Sequence, residues 1–275
     1  MAAKTRAAAD ADAKTIVRAE HVRRPTTTAY TSNAKAMFLI LHAAVAWTPP
    51  PLLMASERHA TRTILFDADG TLLDSLPPHI NFCHTLNKEL GLRLSLPLAD
   101  DVDACRQIAA APMEAFFRAA GFPEAVIAES VAAYEQRFAV ECPVAPFVGV
   151  DALLSRLIAS GARCAIISSN TAFNVRKGLG SELSARFEFV DGIDNAPDDK
   201  ADAIRDALAK LGVEADTAVY VGDTRKDCVK ATEAGVPFVG VDYGFEALLS
   251  DRAALGGALV AVSVVELEQL LLEDH

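Results

Sequence analysis

Short apolar runs alternate with amphipathic stretches from Thr61 to the end of the chain. The first run, Thr63-Ile64-Leu65-Phe66, shows no polar alternation and stops at Asp67. That pattern predicts a strand buried on both faces of a parallel sheet. Similar runs are Arg163–Ile167, ending at Ser168, then Phe187–Val190, then Ala218–Val221, ending at Gly222-Asp223. Val236–Val241 and Ala258–Val262 complete the set. Helical periodicity separates and follows them, at Val150–Ser160, Ala172–Gly178, Ala201–Leu211, Asp227–Ala234 and Val264–Leu272. Strands alternating with helices predict an α/β fold built on a parallel sheet.

The interval between the first two strands breaks this rhythm. Residues 76–146 hold helical stretches, at Pro78–Leu90, Asp100–Ile108, Pro112–Ala120 and Pro123–Val140, and no convincing strand. A crossover between parallel strands needs only a dozen or so residues. The excess predicts an inserted all-α cap over 76–146, with the α/β core formed by 61–75 and 147–275.

Composition separates the leader from the body. The chain of 275 residues has a net charge of -11, and 51% of its residues are hydrophobic. Residues 1–53 hold seven Lys/Arg and three acids, which leaves 19 basic and 34 acidic residues in 54–275. An acidic body argues against a nucleic-acid partner. The leader's apolar run, Ala36–Trp47, is shorter than the roughly 20 residues of a membrane span. It also lies later than a secretory signal's apolar core. Residues 1–60 are therefore expected to be a disordered leader, an organelle-targeting segment, or an over-extended reading frame with translation starting at Met54. Five cysteines without C-x-x-C spacing point to reduced thiols and a cytoplasmic setting.

The chemistry gathers where the apolar runs stop. In an open parallel sheet, ligands bind outside the carboxyl ends of the strands. Asp67, Ser168 and Asp223 should therefore meet at one pocket. Asp67-Ala68-Asp69 sets two carboxylates two residues apart, so both lean to one side if the backbone stays extended. Gly70 lets the chain turn away. One carboxylate can ligate a metal and attack, while the other holds a proton and acts as acid and then base. Taken alone, a D-x-D-G string is also an ordinary solvated turn, and Ser168 an ordinary strand-end serine.

The full string Phe66-Asp67-Ala68-Asp69-Gly70-Thr71-Leu72-Leu73-Asp74-Ser75 resembles the first motif of the haloacid dehalogenase-like hydrolase superfamily, D-x-D-G-T/V-L-x-D. Other motifs of that family follow in order. They are an apolar strand ending in Ser168-Ser169-Asn170, a lysine opening a helix (Lys200), and G-D-x-x-x-D at Gly222–Asp227. The resemblance covers about residues 62–272 and is strongest to the phosphoglycolate-phosphatase-like branch with a helical cap. It implies a Rossmann-like parallel sheet with an all-α cap and a Mg²⁺-dependent phosphatase acting on a small phosphorylated metabolite. By the same resemblance Asp67 is the nucleophile that becomes an aspartyl-phosphate, and Asp69 the general acid and base. Ser168, Ser169, Asn170 and Lys200 would grip the phosphate. Mg²⁺ would be held by Asp67, the backbone carbonyl of Asp69 and Asp223, with Asp227 orienting Asp223 or a bound water. The sequence departs from the family at Lys200, which is followed by Ala-Asp-Ala where K-P-x-P is the commoner pattern; Lys177 is the rival for the phosphate lysine. Asp227 is also placed to cap the following helix.

The resemblance further implies that the cap reads the rest of the substrate. Arg106, in a loop-like stretch, and His79, just past the first motif, are the candidates, against plainer readings as a surface arginine and a cap-helix histidine. The grouping of His79, Cys83 and His84 is discounted as a metal site because no further ligand is near in sequence. Two alternative functions stay open: a phosphomutase using the same two aspartates, and a catalytically silent binding module on the same fold. The chain is expected to be a monomer or homodimer without a membrane span.

Overall fold

Six strands form one wholly parallel sheet: β1 (Thr63–Phe66), β2 (Arg163–Ile167), β3 (Val190–Asp191), β4 (Ala218–Gly222), β5 (Phe238–Val241) and β6 (Leu259–Ala261). They are ordered β3-β2-β1-β4-β5-β6. The structure is a computed structural model and describes residues 62–197 and 199–273. The basic leader, and what its sequence suggests, lies outside the described residues. β1 sits inside the sheet with Phe66 level with Ile166 of β2 on one side and Val221 of β4 on the other. The chain winds outward from β1 through β2 to β3, then returns to β4 and winds the other way. The strand order thus reverses beside β1, which is where an open α/β sheet leaves a crevice.

Five helices lie between β1 and β2, of which the first four form the cap: α1 (Leu76–Glu89), α2 (Val102–Ile108), α3 (Met113–Ala119) and α4 (Glu124–Glu141). The core helices follow as α5 (Val150–Ala159), α6 (Ala172–Ser184), α7 (Lys200–Leu211), α8 (Arg225–Glu233) and α9 (Val264–Leu272). The fold is thus an α/β Rossmann-like core with a helical cap. Among the described residues, no helix is long and apolar enough to cross a membrane.

The two-residue period of a strand explains the layering. Ile64 and Phe66 face one way, into a cluster with Leu153 and Leu157 of α5, Val175 of α6 and Leu267 of α9. Leu65 faces the other way, toward Ile204 and Leu208 of α7 and Ala231 of α8. Both sheet faces are therefore covered, and all four β1 side chains are buried. The cap has its own core, built mainly from aromatic rings: Phe82 of α1, Phe116 and Phe117 of α3, and Tyr134 and Phe138 of α4.

Several predicted boundaries shift for local reasons. β3 is only Val190–Asp191; Phe187 instead turns its ring edge-on to Phe66. β5 begins at Phe238 because Pro237 has no N–H for the ladder. α6 runs past Gly178 to Ser184, across a break at Gly180 (φ 78°, ψ 164°) that glycine tolerates. α2 begins at Val102, within the helical stretch expected at Asp100–Ile108, and includes Arg106, which is therefore not in a loop; Asp101 starts the helix by accepting the Ala104 N–H at 3.1 Å.

Gly192, just after β3, is where the sheet presses on the loop after β2. A Cβ there would sit 2.3 Å from Ala172 N and 2.4 Å from Asn170 O, both backbone atoms. No flexible side chain is available to give way. Gly192→Ala should therefore lose about 1–3 kcal/mol, the usual cost of overpacking, when its urea unfolding is compared with wild type. An equally stable variant would mean that this loop yields without cost.

Candidate active site

The turn after β1 builds the centre of the site. Asp67 N–H extends the sheet by donating to Val221 O at 2.8 Å. The chain then folds back tightly, with Ala68 O accepting from Leu72 N and Leu73 N, each at 2.9 Å. Gly70 (φ 78°) makes this turn, and a side chain there would also collide with Asp223, whose Oδ2 would be 2.0 Å from its Cβ. Asp223 follows β4 directly and is fully buried. Its Oδ2 accepts Phe245 N–H at 2.7 Å, and its Oδ1 accepts the Thr71 hydroxyl at 3.5 Å. Gly244 is needed for the same closeness, since its Cβ would fall 2.4 Å from Asp223 Oδ2.

Lys200 opens α7, with Asp199 as the N-cap, and its Nζ reaches back to Asp67 Oδ1 at 2.8 Å and Asp227 Oδ1 at 2.5 Å. Asp227 is held from its other oxygen, which accepts Thr224 N–H at 3.1 Å and the Thr224 hydroxyl at 2.6 Å. Thr224 in turn caps α8, so the two residues form a reciprocal capping box. Asp227 therefore both caps the helix and belongs to the acidic cluster. Asp67, Asp223 and Asp227 each offer an oxygen, and these atoms lie within 4.8 Å of one another.

Three buried carboxylates face one ammonium. Burial pushes Asp67 up to about 7, against the downward pull of Lys200. Asp223 is held well above the usual carboxylate range, first by burial and then by repulsion from Asp67 and Asp227. For Lys200, burial works against the charge, but Asp227 and Asp67 outweigh it and keep the amine protonated. An uncompensated buried charge is costly. Clustered hard oxygen donors with excess negative charge fit a small divalent cation such as Mg²⁺.

Asp69 is handled separately. Its Oδ2 accepts Asn170 Nδ2 at 2.9 Å. Asn170 is fixed in turn, because its Oδ1 accepts Thr171 N–H at 2.8 Å and Asn174 Nδ2 at 3.0 Å. Ser168, at the end of β2, is buried, and its Oγ accepts Asn170 N–H at 3.0 Å. Ser169, beside it, is exposed. The structure thus gathers Asp67, Asp223 and Asp227 into one cluster, in which Lys200 bonds Asp67 and Asp227, with Asp69, Asn170 and Ser168 joined to one another by hydrogen bonds. Lys177 is exposed on α6 and outside the Lys200 cluster, but it lines the same cavity as Asp69 and Asn170.

On the cap side, His79 is buried in an aromatic stack. Its ring lies 4.6 Å from that of Phe138 at 9°, and its Nε2 shares a 3.0 Å hydrogen bond with the Tyr134 hydroxyl. Burial lowers the His79 pKa and raises that of Tyr134, with the Asp69 charge acting upward on both. His84 is engaged instead with Pro97 O at 2.8 Å, away from any ligand set with His79. Arg106 sits between α2 and the loop after β5, donating from Nε to Gly244 O at 3.0 Å and from Nη2 to Asp242 O at 2.5 Å. Two of its donors are thus taken by the protein's own carbonyls, and its Nη1 lies 3.8 Å from Asp103 Oδ1. Sequence reasoning misses Tyr134, Thr224 and Phe245. The Tyr134/Phe138 pair at i, i+4 is a visible signal; the Phe245 amide is not, because a backbone donor leaves no mark in the sequence.

A site of this kind, with aspartates at the carboxyl edge of a parallel sheet beneath a helical cap, has counterparts among known proteins. The model of the haloacid dehalogenase-like hydrolase family matches residues 64–241. The phosphoglycolate phosphatase of Caulobacter vibrioides is 35% identical over 193 residues, 66% of this chain and 80% of that protein. That of Rhodospirillum rubrum is 32% identical over 221 residues, 71% of this chain and 89% of that protein. The tyrosine-protein kinase PtkA of Mycobacterium tuberculosis is 29% identical over 226 residues, 79% of this chain and 75% of that protein. Among solved structures, a haloacid dehalogenase-like hydrolase from Streptococcus pneumoniae superposes with a TM-score of 0.65 at 25% identity, covering 76% of this chain and 97% of that one. The chain belongs to the haloacid dehalogenase-like hydrolase family, within its phosphoglycolate-phosphatase-like branch.

The Arg106 contacts and the Asp67 environment each have a measurable consequence. Arg106→Ala should unfold at lower urea by about 1.5–3 kcal/mol, the scale of hydrogen bonds from a charged group; unchanged stability would deny it this bracing role. For Asp67, the native state keeps a proton up to about pH 7, whereas the unfolded chain releases it near 3.8. The native state therefore binds more protons across that window, and stability falls as pH rises through it. Without divalent cations, the Tm of wild type should drop more steeply from pH 4 to 7 than that of Asp67→Asn. Parallel slopes would show that burial of Asp67 is not what sets this dependence.

Proposed function

We propose that the protein is a Mg²⁺-dependent phosphatase that hydrolyses a small phosphate monoester through an aspartyl-phosphate on Asp67. The observation that carries this reading is the unequal treatment of two neighbouring carboxylates. Asp67 is buried and tied to Lys200, whereas Asp69 is set apart and oriented by Asn170. Such a split suits a nucleophile and an acid–base partner. The relatives named phosphoglycolate phosphatase support a small phosphorylated substrate.

Asp67 attacks phosphorus, forming a new O–P bond as the P–O bond to the leaving group breaks. Asp69 gives its proton to the departing oxygen. It then takes a proton from the water that attacks the aspartyl-phosphate, releasing inorganic phosphate and restoring the Asp67 carboxylate. Lys200 remains charged between Asp67 and Asp227, where it offsets negative charge as phosphoryl oxygens arrive. Ser168 and the amides of the loop after β2 provide polar groups at the same edge. Asp67, Asp223 and Asp227 would hold Mg²⁺, whose charge would favour an ionised Asp67 and offset that of the phosphoryl group.

A panel of small phosphate monoesters, assayed for phosphate release with and without Mg²⁺, tests this. Wild type should release phosphate only with the cation, and Asp67→Asn should lose at least ~10³-fold in kcat, as removing a covalent nucleophile does elsewhere. Near-normal turnover by Asp67→Asn would end the proposed mechanism, and an isomeric ester without free phosphate would reassign the protein as a mutase.

A further inference from the structure

Two crossed ion pairs join the start of α7 to α8. Asp199 and Lys200 are consecutive residues where α7 begins. Asp227 and Lys230 stand three apart on α8, so they share one face of that helix. Lys200 Nζ bonds Asp227 Oδ1 at 2.5 Å, and Lys230 Nζ bonds Asp199 Oδ2 at 2.8 Å. Acid precedes base on each helix, and each charge finds its opposite on the other. The Lys200–Asp227 pair is buried in the site, whereas the side chains of Lys230 and Asp199 are 21% and 46% exposed.

The outer pair stands where it can govern the inner one. Lys200 is the first residue of α7, and the first N–H groups of a helix have no partner within it. Asp199 holds that turn. Its Oδ1 accepts Ala201 N–H at 2.8 Å and Asp202 N–H at 3.4 Å, and its carbonyl accepts Ala203 N–H at 2.9 Å. Its other carboxylate oxygen goes to Lys230, which Glu233 Oε2 also holds at 2.8 Å. One oxygen of Asp199 thus serves the helix that carries Lys200, and the other the helix that carries Asp227. Lys230 also draws the Asp199 carboxyl below its ordinary range, so the cap stays charged. An exposed ion pair adds little to global stability. Its effect here is local, because Lys200 must reach two buried carboxylates from a helix end on a long, flexible side chain.

We propose that Asp199 and Lys230 are positioning residues that clamp the start of α7 to α8 and so hold Lys200 between Asp67 and Asp227. They act through Lys200, by fixing the backbone from which its ammonium projects. The effect on turnover rests on the phosphatase reading above; the placement of Lys200 does not.

The test labels the full chain with acetic anhydride and reads the rate at Lys200 by mass spectrometry, against exposed Lys88 in the same sample. The variants are Asp199→Ala, Asp199→Asn, Lys230→Ala and, as a control, Ser263→Ala. Ser263 caps α9 by accepting Glu266 N–H at 3.2 Å, so its loss removes the same kind of bond away from the site. Lys200 should label at least ~5-fold faster in Asp199→Ala, the scale of a lost N-cap. It should label about 2- to 5-fold faster in Lys230→Ala, the range of an exposed ion pair. Asp199→Asn keeps a capping oxygen and loses the charge, so it should match Lys230→Ala. Ser263→Ala should leave the Lys200 rate at that of wild type. On any ester of the panel that wild type hydrolyses, kcat/KM should fall by similar factors in the same order, and not in Ser263→Ala. Circular dichroism and Tm will check that each variant folds. A wild-type Lys200 rate in Asp199→Ala or in Lys230→Ala, an equal rise in Ser263→Ala, or faster labelling with undiminished kcat/KM would overturn the assignment. If wild type hydrolyses no ester while Lys200 labels as expected, the clamp stands and the phosphatase reading falls.

Discussion

The site depends on an imbalance of charge that folding itself creates. Asp67, Asp223 and Asp227 are buried within 4.8 Å of one another, and Lys200 is the cation bonded among them. Desolvation raises the cost of each charge, and repulsion raises it again. A parallel sheet can impose this because β1 and β4 are neighbours with fixed register, so the residues after them cannot move apart without breaking the ladder. A divalent cation is the simplest species that relieves the strain. Binding of such an ion would stabilise the folded state by mass action.

The close packing around Asp223 follows from the same constraint. Gly70 and Gly244 leave no room beside its carboxylate, and Gly222 leaves none beside Asp227, whose Cβ would be 2.6 Å from an added one. The donors to these oxygens are the backbone N–H groups of Phe245 and Thr224, the hydroxyls of Thr71 and Thr224, and the Lys200 ammonium. Such donors are fixed by the fold and need little reorganisation as charge develops. Arg106 extends the arrangement outward. It ties a cap helix to the carbonyls of Asp242 and Gly244, one residue from the Phe245 amide that holds Asp223.

Much of this arrangement is legible in the order of residues along the chain. The strands from Thr63 and Ala218 read correctly because a parallel strand is buried on both faces and so is continuously apolar. The meeting of Asp67 and Asp223 at one edge of the sheet is legible because each stands where such a run ends. Asp69 and Asn170 are both visible, but not their hydrogen bond, since the motif alone turns Asn170 toward phosphate. That contact comes from the turn after β1 meeting the loop after β2, and no local pattern records it. The extent of β3 is not legible, because Phe187 and Phe189 look like strand residues, while only tertiary pairing decides which of them joins the sheet. The helix around Arg106 is legible over Asp100–Ile108, but its first residue is not; the Asp101 cap sets it.

The cap supplies what the core lacks, an apolar boundary. His79 lies against the rings of Phe116, Tyr134, Phe138 and, from the core loop, Phe245. Burial disfavours its charged form, so it behaves as an aromatic wall with one polar edge, directed at Tyr134. Phe245 links this wall to the acidic cluster, because its ring packs on His79 while its backbone amide holds Asp223. A low-dielectric wall strengthens the electrostatic interactions beside it. The same residue therefore fixes the geometry of a charged group and shapes the medium around it. A change at Phe245 would act through its side chain on the cap and through its backbone on Asp223, and the two effects would be coupled by a single torsion-limited loop.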